Sequence, residues 1–199
     1  MTALTETRTV LPSKSTQQEF ATDAEALFTL SRTVTASWKM DNLPVMQACL
    51  RELDASAAEI TRLNQVVRQA QRPAAKHEIS NEIAGLVGCF LNASNKDASV
   101  FSLALAQDLH DRRAPIAALI WGFRKVRQTS RFFPTIAEIL EAVDAEAQRI
   151  RAVAYRLEQL PRLIDETQIR IARQESIERE RASKCALPLG DVTRAPRHA

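Results

Sequence analysis

The strongest chemical signal in this chain is a run of bases. Residues 112–131 hold Arg112, Arg113, Arg124, Lys125, Arg127 and Arg131 without one Asp or Glu among them. On a helix, Arg124, Arg127 and Arg131 fall near one face, and Trp121, one turn before Arg124, lies beside it. Guanidinium groups present planar donors that suit phosphates and carboxylates. An aromatic ring among them can stack on a base or cover a guanidinium. The strip of Trp121, Arg124, Lys125, Arg127 and Arg131 is therefore the candidate surface for nucleic acid phosphates or for a protein partner. A plainer arrangement uses the same residues, with Trp121 and Phe123 in the core and the arginines as its solvated rim.

Catalytic patterns are missing. His77, His110 and His198 sit at a hinge, a helix end and a tail, and the chain holds no His-Glu-x-x-His, no Gly-x-Ser-x-Gly and no Gly-x-x-x-x-Gly-Lys. Cys49, Cys89 and Cys185 are far apart and odd in number, which favours neither a disulfide framework nor a zinc site. Carboxylates such as Glu141, Asp144 and Glu146 read as solvating groups on a long helix. The expectation is a non-enzymatic protein with no catalytic residues, no cofactor and no metal. Residues 80–88 resemble the first half of a helix-turn-helix, but the apolar run continues through Cys89, Phe90 and Leu91 where a recognition helix should follow within a few residues.

These side chains must be positioned by helices. The 199 residues are 45% apolar and 26% charged, with only 4 glycines and 5% aromatics. Ala, Leu, Glu, Gln and Arg crowd the chain, whereas strands and their turns need β-branched, aromatic and glycine residues. The fold class expected is all-α: a helical hairpin, a small helical bundle and a long C-terminal helix between disordered termini.

The pattern divides the chain. Residues 1–15 read as a flexible leader, and 16–71 as a helical hairpin or coiled coil. In its second arm Met46, Leu53, Ile60 and Val67 share one heptad seam, with Cys49, Ser56, Leu63 and Ala70 on the other. That seam suits either dimerisation or packing against residues 17–39 of the same chain. Pro73 marks a hinge, and 75–147 reads as a compact helical domain in which Pro115 occupies the first position of the basic helix. Phe132-Phe133-Pro134 ends that helix, and Thr135-Ile136-Ala137-Glu138 has capping-box spacing. A long helix then spans 135–184, carrying Ile136, Val143, Ile150, Leu157, Ile164 and Ile171 every seven residues, with a break expected near Pro161. The charge-rich stretch 165–184 reads as an arm that orders on a partner, and 185–199 as a disordered tail.

Formal charge is +3, with 27 bases offset by 24 acids, so the chain is no polycation. It contains no apolar run long enough to span a bilayer and no signal-peptide pattern, so a cytoplasmic location without membrane contact is expected.

The segments Ala117-Ala118-Leu119-Ile120-Trp121-Gly122-Phe123-Arg124-Lys125 and Gln128-Thr129-Ser130-Arg131-Phe132-Phe133-Pro134-Thr135-Ile136-Ala137-Glu138-Ile139 resemble a helical region of phage and prophage proteins encoded with replication genes, including small helicase loaders and loader-like inhibitors. In that family a basic helix leads through an Arg/Lys-aromatic-x-Pro-Ser/Thr turn into a helix beginning x-Ala-Glu-Ile/Leu. The likeness covers about residues 75–151. It implies a non-enzymatic adaptor, of prophage origin, whose partner is a replicative helicase or nucleic acid. Arg124, Arg127, Arg131, Phe132, Phe133 and Pro134 are where the likeness and the charge pattern converge. Two other classes stand beside it: a structural coiled-coil protein that joins copies of itself through its seams, and a DNA-binding regulator built on residues 80–88.

Overall fold

The computed structural model describes residues 14–90 and 95–185. Among them the chain forms seven helices and no strand: α1 (Lys14–Lys39), α2 (Leu43–Ala55), α3 (Ala57–Ala70), α4 (Lys76–Gly88), α5 (Asn95–Asp111), α6 (Ile116–Thr129) and α7 (Ile136–Cys185). The all-α expectation holds. The leader expected over 1–15, the polar turn that the sequence suggests over 92–97 and the tail expected over 185–199 lie outside the described residues except at their edges, where residues 14–15, 95–97 and 185 are helical.

With so few glycines, helices end on other residues. Asp41 (φ 47°) and Arg113 (φ 49°) take the left-handed conformation that usually calls for glycine. Around each, two backbone bonds close the helix end: Asn42 N–H to Ser37 C=O and Asp41 N–H to Trp38 C=O after α1, and Ala114 N–H to Leu109 C=O and Arg113 N–H to His110 C=O after α5. Asn42 then caps the next helix, its Oδ1 accepting from Val45 N–H at 3.2 Å. One short corner thus stops α1 and starts α2.

The hinge at Pro73 is tied to the start of α6. Pro73 and Pro115 face each other in an isolated bridge, where Ala74 N–H donates to Ala114 C=O at 2.9 Å and Ile116 N–H donates to Arg72 C=O at 2.8 Å. Neither proline has an N–H, so their neighbours carry both bonds. Arg72 also grips Glu78 with two bonds of 3.0 and 2.6 Å, and Glu78 accepts from Ala75 N–H at 2.8 Å, capping α4. The two bonds from Arg72, aided by the Ala75 N–H, hold the Glu78 carboxyl below the usual carboxylate range despite its burial. Pro115 serves as the N-cap of α6 instead of its first helical residue, one position earlier than the spacing suggests.

Residues 45–71 do not form one heptad helix. Ser56 (φ −91°, ψ 9°) separates α2 from α3, because a polar residue at a seam position gives the core nothing to hold. Of the remaining seam residues, Met46, Cys49, Leu53, Leu63, Val67 and Ala70 are buried inside the chain and Ile60 is half-buried against the same core. Burial also pushes the Cys49 thiol pKa up. This seam packs against α1 and α7 of the same molecule, so it is not free to join chains.

One core runs through the whole molecule, from Phe20, Leu27 and Val34 on α1 through Ile79, Leu105, Trp121 and Phe123 to Ile139, Ile150 and Leu160 on α7. The closest helix pairing is α6 against α7. At Gly122 a Cβ would stand 2.9 Å from the Val143 backbone, so only glycine permits this approach. The Phe20 and Trp121 rings, 5.2 Å apart, join α1 to the same centre.

The expected break near Pro161 does not occur. α7 runs through Pro161 to Cys185, about 75 Å at 1.5 Å per residue. Pro161 is exposed, while Leu157 and Leu160 before it and Thr167 after it are buried. Packing on both sides holds the helical path against the missing hydrogen bond. Nor is 165–184 an unstructured arm. Thr167 accepts from the Trp38 indole at 3.1 Å, Gln174 donates to the Asp41 carbonyl at 3.4 Å, and Glu175 accepts from Gln47 at 3.0 Å, which seats residues 167–175 on the α1–α2 corner, while 178–184 continue as exposed helix.

Candidate interaction surface

The predicted basic strip divides when the helices pack. Residues 116–123, the first two turns of α6, are buried all round, so only its C-terminal half can carry charge outward. Trp121 is 1% exposed and cannot stack on a ligand. Its assignment to the binding strip is corrected: the ring belongs to the core, because α6 packs against α7, α4 and α3 and the Phe20 ring of α1 covers the indole. Its Nε1 is buried without a hydrogen-bond partner.

Arg127 turns inward to α4. Its Nη1 donates to Glu82 Oε2 at 3.2 Å, with both side chains only 25% exposed, and the same Nη1 lies 3.8 Å from where a Cβ on Gly85 would stand. Arg124 donates to Gln17 Oε1 at 3.0 Å on α1. Arg112 pairs with Asp144 on α7 at 2.7 Å. The run has no acid of its own, but neighbouring helices supply two and an amide. Arg113, Lys125 and Arg131 remain exposed. A continuous three-arginine face therefore does not form.

What the structure builds instead is the corner after α6. Phe133 is wedged edge-on against Phe90, with centroids 5.7 Å apart, and against Phe101, 4.7 Å apart. Pro134 beside it is buried. The following turn is locked by the capping box expected there, with Thr135 N–H donating to Glu138 Oε2 at 2.8 Å and Glu138 N–H donating to Thr135 Oγ1 at 3.3 Å. The Thr135 N–H, together with the Thr135 hydroxyl that donates to the same Oε2 at 3.0 Å, holds the Glu138 carboxyl below its ordinary range. Between these anchors Phe132 stands 81% exposed, beside exposed Arg131. Sequence reasoning placed Phe132 in the motif but did not separate it from Phe133. Alternation could not do so, since the chain here is neither helix nor strand.

Val100 and Leu103 are also exposed, on the outer side of α5, whose Phe101 supports Phe133. Among the described residues no group of three or more His, Cys, Asp or Glu could hold a metal ion, and no helix is long and apolar enough to cross a membrane. The helix-turn-helix alternative fails on geometry, because α4 and α5 are separated by residues 89–94. The geometry defines a helical bundle that presents a fixed Arg-Phe corner. Comparison of the chain with protein-family models, with curated protein sequences and with solved structures finds no match in any of the three.

Proposed function

We propose that this chain is a non-enzymatic helical adaptor, akin to the loader and inhibitor proteins encoded with phage replication genes, that docks a replicative helicase through the Arg131-Phe132 corner. The observation that carries this reading is the contrast between adjacent phenylalanines: Phe133 is clamped in an aromatic cluster while Phe132 projects into solvent. A large apolar side chain on a rigid mount loses little entropy on docking, and aromatic and arginine residues dominate the binding energy of protein interfaces. Lys125, on the last turns of α6, adds an exposed charge nearby in sequence.

A protein partner is favoured over nucleic acid. Duplex or single-strand binding draws on several unpaired bases along a track, and Arg112 and Arg127 are already engaged by Asp144 and Glu82. The test is biolayer interferometry of the full chain against a purified hexameric replicative helicase, alongside a labelled oligonucleotide at low and moderate salt. Phe132→Ala and Arg131→Ala should each weaken helicase binding at least tenfold while helicity is unchanged. Helicase binding that is absent or indifferent to both substitutions overturns the reading, and salt-sensitive oligonucleotide binding would return the argument to nucleic acid.

A further inference from the structure

Where the end of α1 crosses the middle of α7, a cleft of about 250 Å³ opens, lined by Trp38, Tyr155, Arg156, Gln159, Arg162 and Leu163 among others. Its aromatic wall is fixed. The Trp38 indole N–H donates to Thr167 Oγ1 at 3.1 Å, that hydroxyl donates in turn to the Leu163 carbonyl at 2.6 Å, and Arg170 covers the ring at 4.8 Å from its centroid. Tyr155 stands at the rim, 61% exposed. Neither α6 nor the Phe132 corner contributes to it.

Arg156 is the unsatisfied member. Its guanidinium sits 5.6 Å from the Phe28 ring centroid, and its Nε is buried with no hydrogen-bond partner. Among the described residues no carboxylate pairs with it, whereas Arg162 beside it is matched to Glu166 at 3.0 Å. The Nε itself is shielded, so the groups open to an acceptor are the terminal N–H groups of the guanidinium, and a carboxylate is the acceptor whose geometry matches them.

We infer that this cleft receives an acidic peptide segment of a partner protein, in which an Asp or Glu carboxylate meets Arg156 while an adjoining apolar side chain lies against Trp38 and Leu163. Two observations select this ligand. Trp38, Leu160 and Leu163 offer apolar surface that a bare anion leaves unused. Of the charged residues that line the cleft, Arg162 is matched to Glu166, which leaves Arg156 as a single guanidinium without a carboxylate among the described residues, and one such group suits one carboxylate, whereas a polyanion such as nucleic acid draws on several bases along a track.

The experiment uses the full chain and three fluorescein-labelled, C-terminally amidated Gly-Ser hexapeptides carrying one central Asp-Leu, Ser-Leu or Lys-Leu pair, read by anisotropy. In parallel, the two indole N–H signals are followed in a ¹⁵N-correlated spectrum. The Asp-Leu peptide should bind at least tenfold more tightly than the other two, and should move the Trp38 signal while leaving that of buried Trp121 in place. Arg156→Gln should remove that preference. Tyr155→Ala, at an exposed position that leaves folding intact, should weaken binding several-fold. Lys125→Gln with Arg131→Gln should leave it unchanged, which keeps this cleft distinct from the Phe132 corner. Equal binding of the Asp-Leu and Ser-Leu peptides, an unmoved Trp38 signal, displacement by an oligonucleotide, or loss on Lys125→Gln with Arg131→Gln would overturn the inference.

Discussion

Arg127 on α6 donates to Glu82 on α4 across 3.2 Å, in a setting where each side chain keeps a quarter of its exposure. The base that looked most central to a docking face is spent holding two helices together. A double-mutant cycle of Arg127→Ala and Glu82→Ala should show coupling of about 1 kcal/mol, since the pair is neither fully buried nor freely solvated. Urea denaturation of the four proteins measures it. Strict additivity would mean that the pair contributes nothing to the packing of α4 on α6.

Gly122 and Gly88 should answer alanine in opposite directions. At Gly122 the new Cβ meets Val143 backbone and side-chain atoms at 2.9 Å, while at Gly88 no atom of the described residues lies within 4 Å. Alanine improves helix propensity by about 1 kcal/mol at either site. Overpacking between α6 and α7 reverses that gain, so Gly122→Ala should lose about 1–3 kcal/mol. Gly88→Ala should be neutral or stabilising. Denaturation midpoints of the two variants decide, and equal midpoints would show that α7 can retreat from α6 without cost.

Glu78 makes stability depend on pH at the acid end. Its folded carboxyl lies below the ordinary value because Arg72 donates two hydrogen bonds to it and Ala75 N–H a third. The unfolded chain therefore binds the proton first as pH falls, and the contribution is complete above the unfolded value of about 4.3 and fades as pH drops through the folded one. Glu78→Gln should cost about 1–2 kcal/mol at pH 7, the low end for a charge-assisted bond because Arg72 is partly exposed. The gap between wild type and variant should close towards pH 3. Chemical denaturation at both pH values tests this, and a gap that widens in acid would contradict the sign.

Pro161 sits exposed inside the continuous α7. Alanine there restores an N–H for the Leu157 carbonyl without removing buried surface, so Pro161→Ala should stabilise the protein by about 1–3 kcal/mol. A lower melting temperature would mean that the helical path depends on a deviation that proline sets.

Arg113 closes α5 from a left-handed backbone at φ 49°. Glycine adopts that conformation without the strain of about 1 kcal/mol that a Cβ brings, although its freer unfolded state offsets part of the gain. Arg113→Gly should therefore raise the thermal midpoint slightly. Arg113→Val, with a β-branched side chain in the same place, should lower it clearly.

Local chemistry was enough to place most of the helices. Periodic apolar residues outlined α1, α6 and α7, the Thr135-to-Glu138 spacing located the start of α7, and Pro73 and Pro115 marked the corner that the structure bridges. Each depends on neighbours a few residues apart, which is the range over which hydrogen bonds and side-chain rows are written into a sequence. At Pro161 and Ser56 the structure departs from local rules for the complementary reason. Propensity breaks a helix at proline and a heptad bridges one serine, but long-range packing held the first and gave nothing to secure the second.

The candidate surface turned on distances that no spacing contains. A run of six bases was visible in residues 112–131, yet whether each faces solvent was decided by Glu82, Asp144 and Gln17 on three other helices, up to 107 positions away. The sequence by itself determined a helical chain and the identities of its charged and aromatic side chains. Only tertiary packing decided that Trp121 lies inside, that Phe132 and not Phe133 stands outside, and that Arg156 meets no carboxylate among the described residues, because burial and pairing are properties of helices brought together rather than of any one helix.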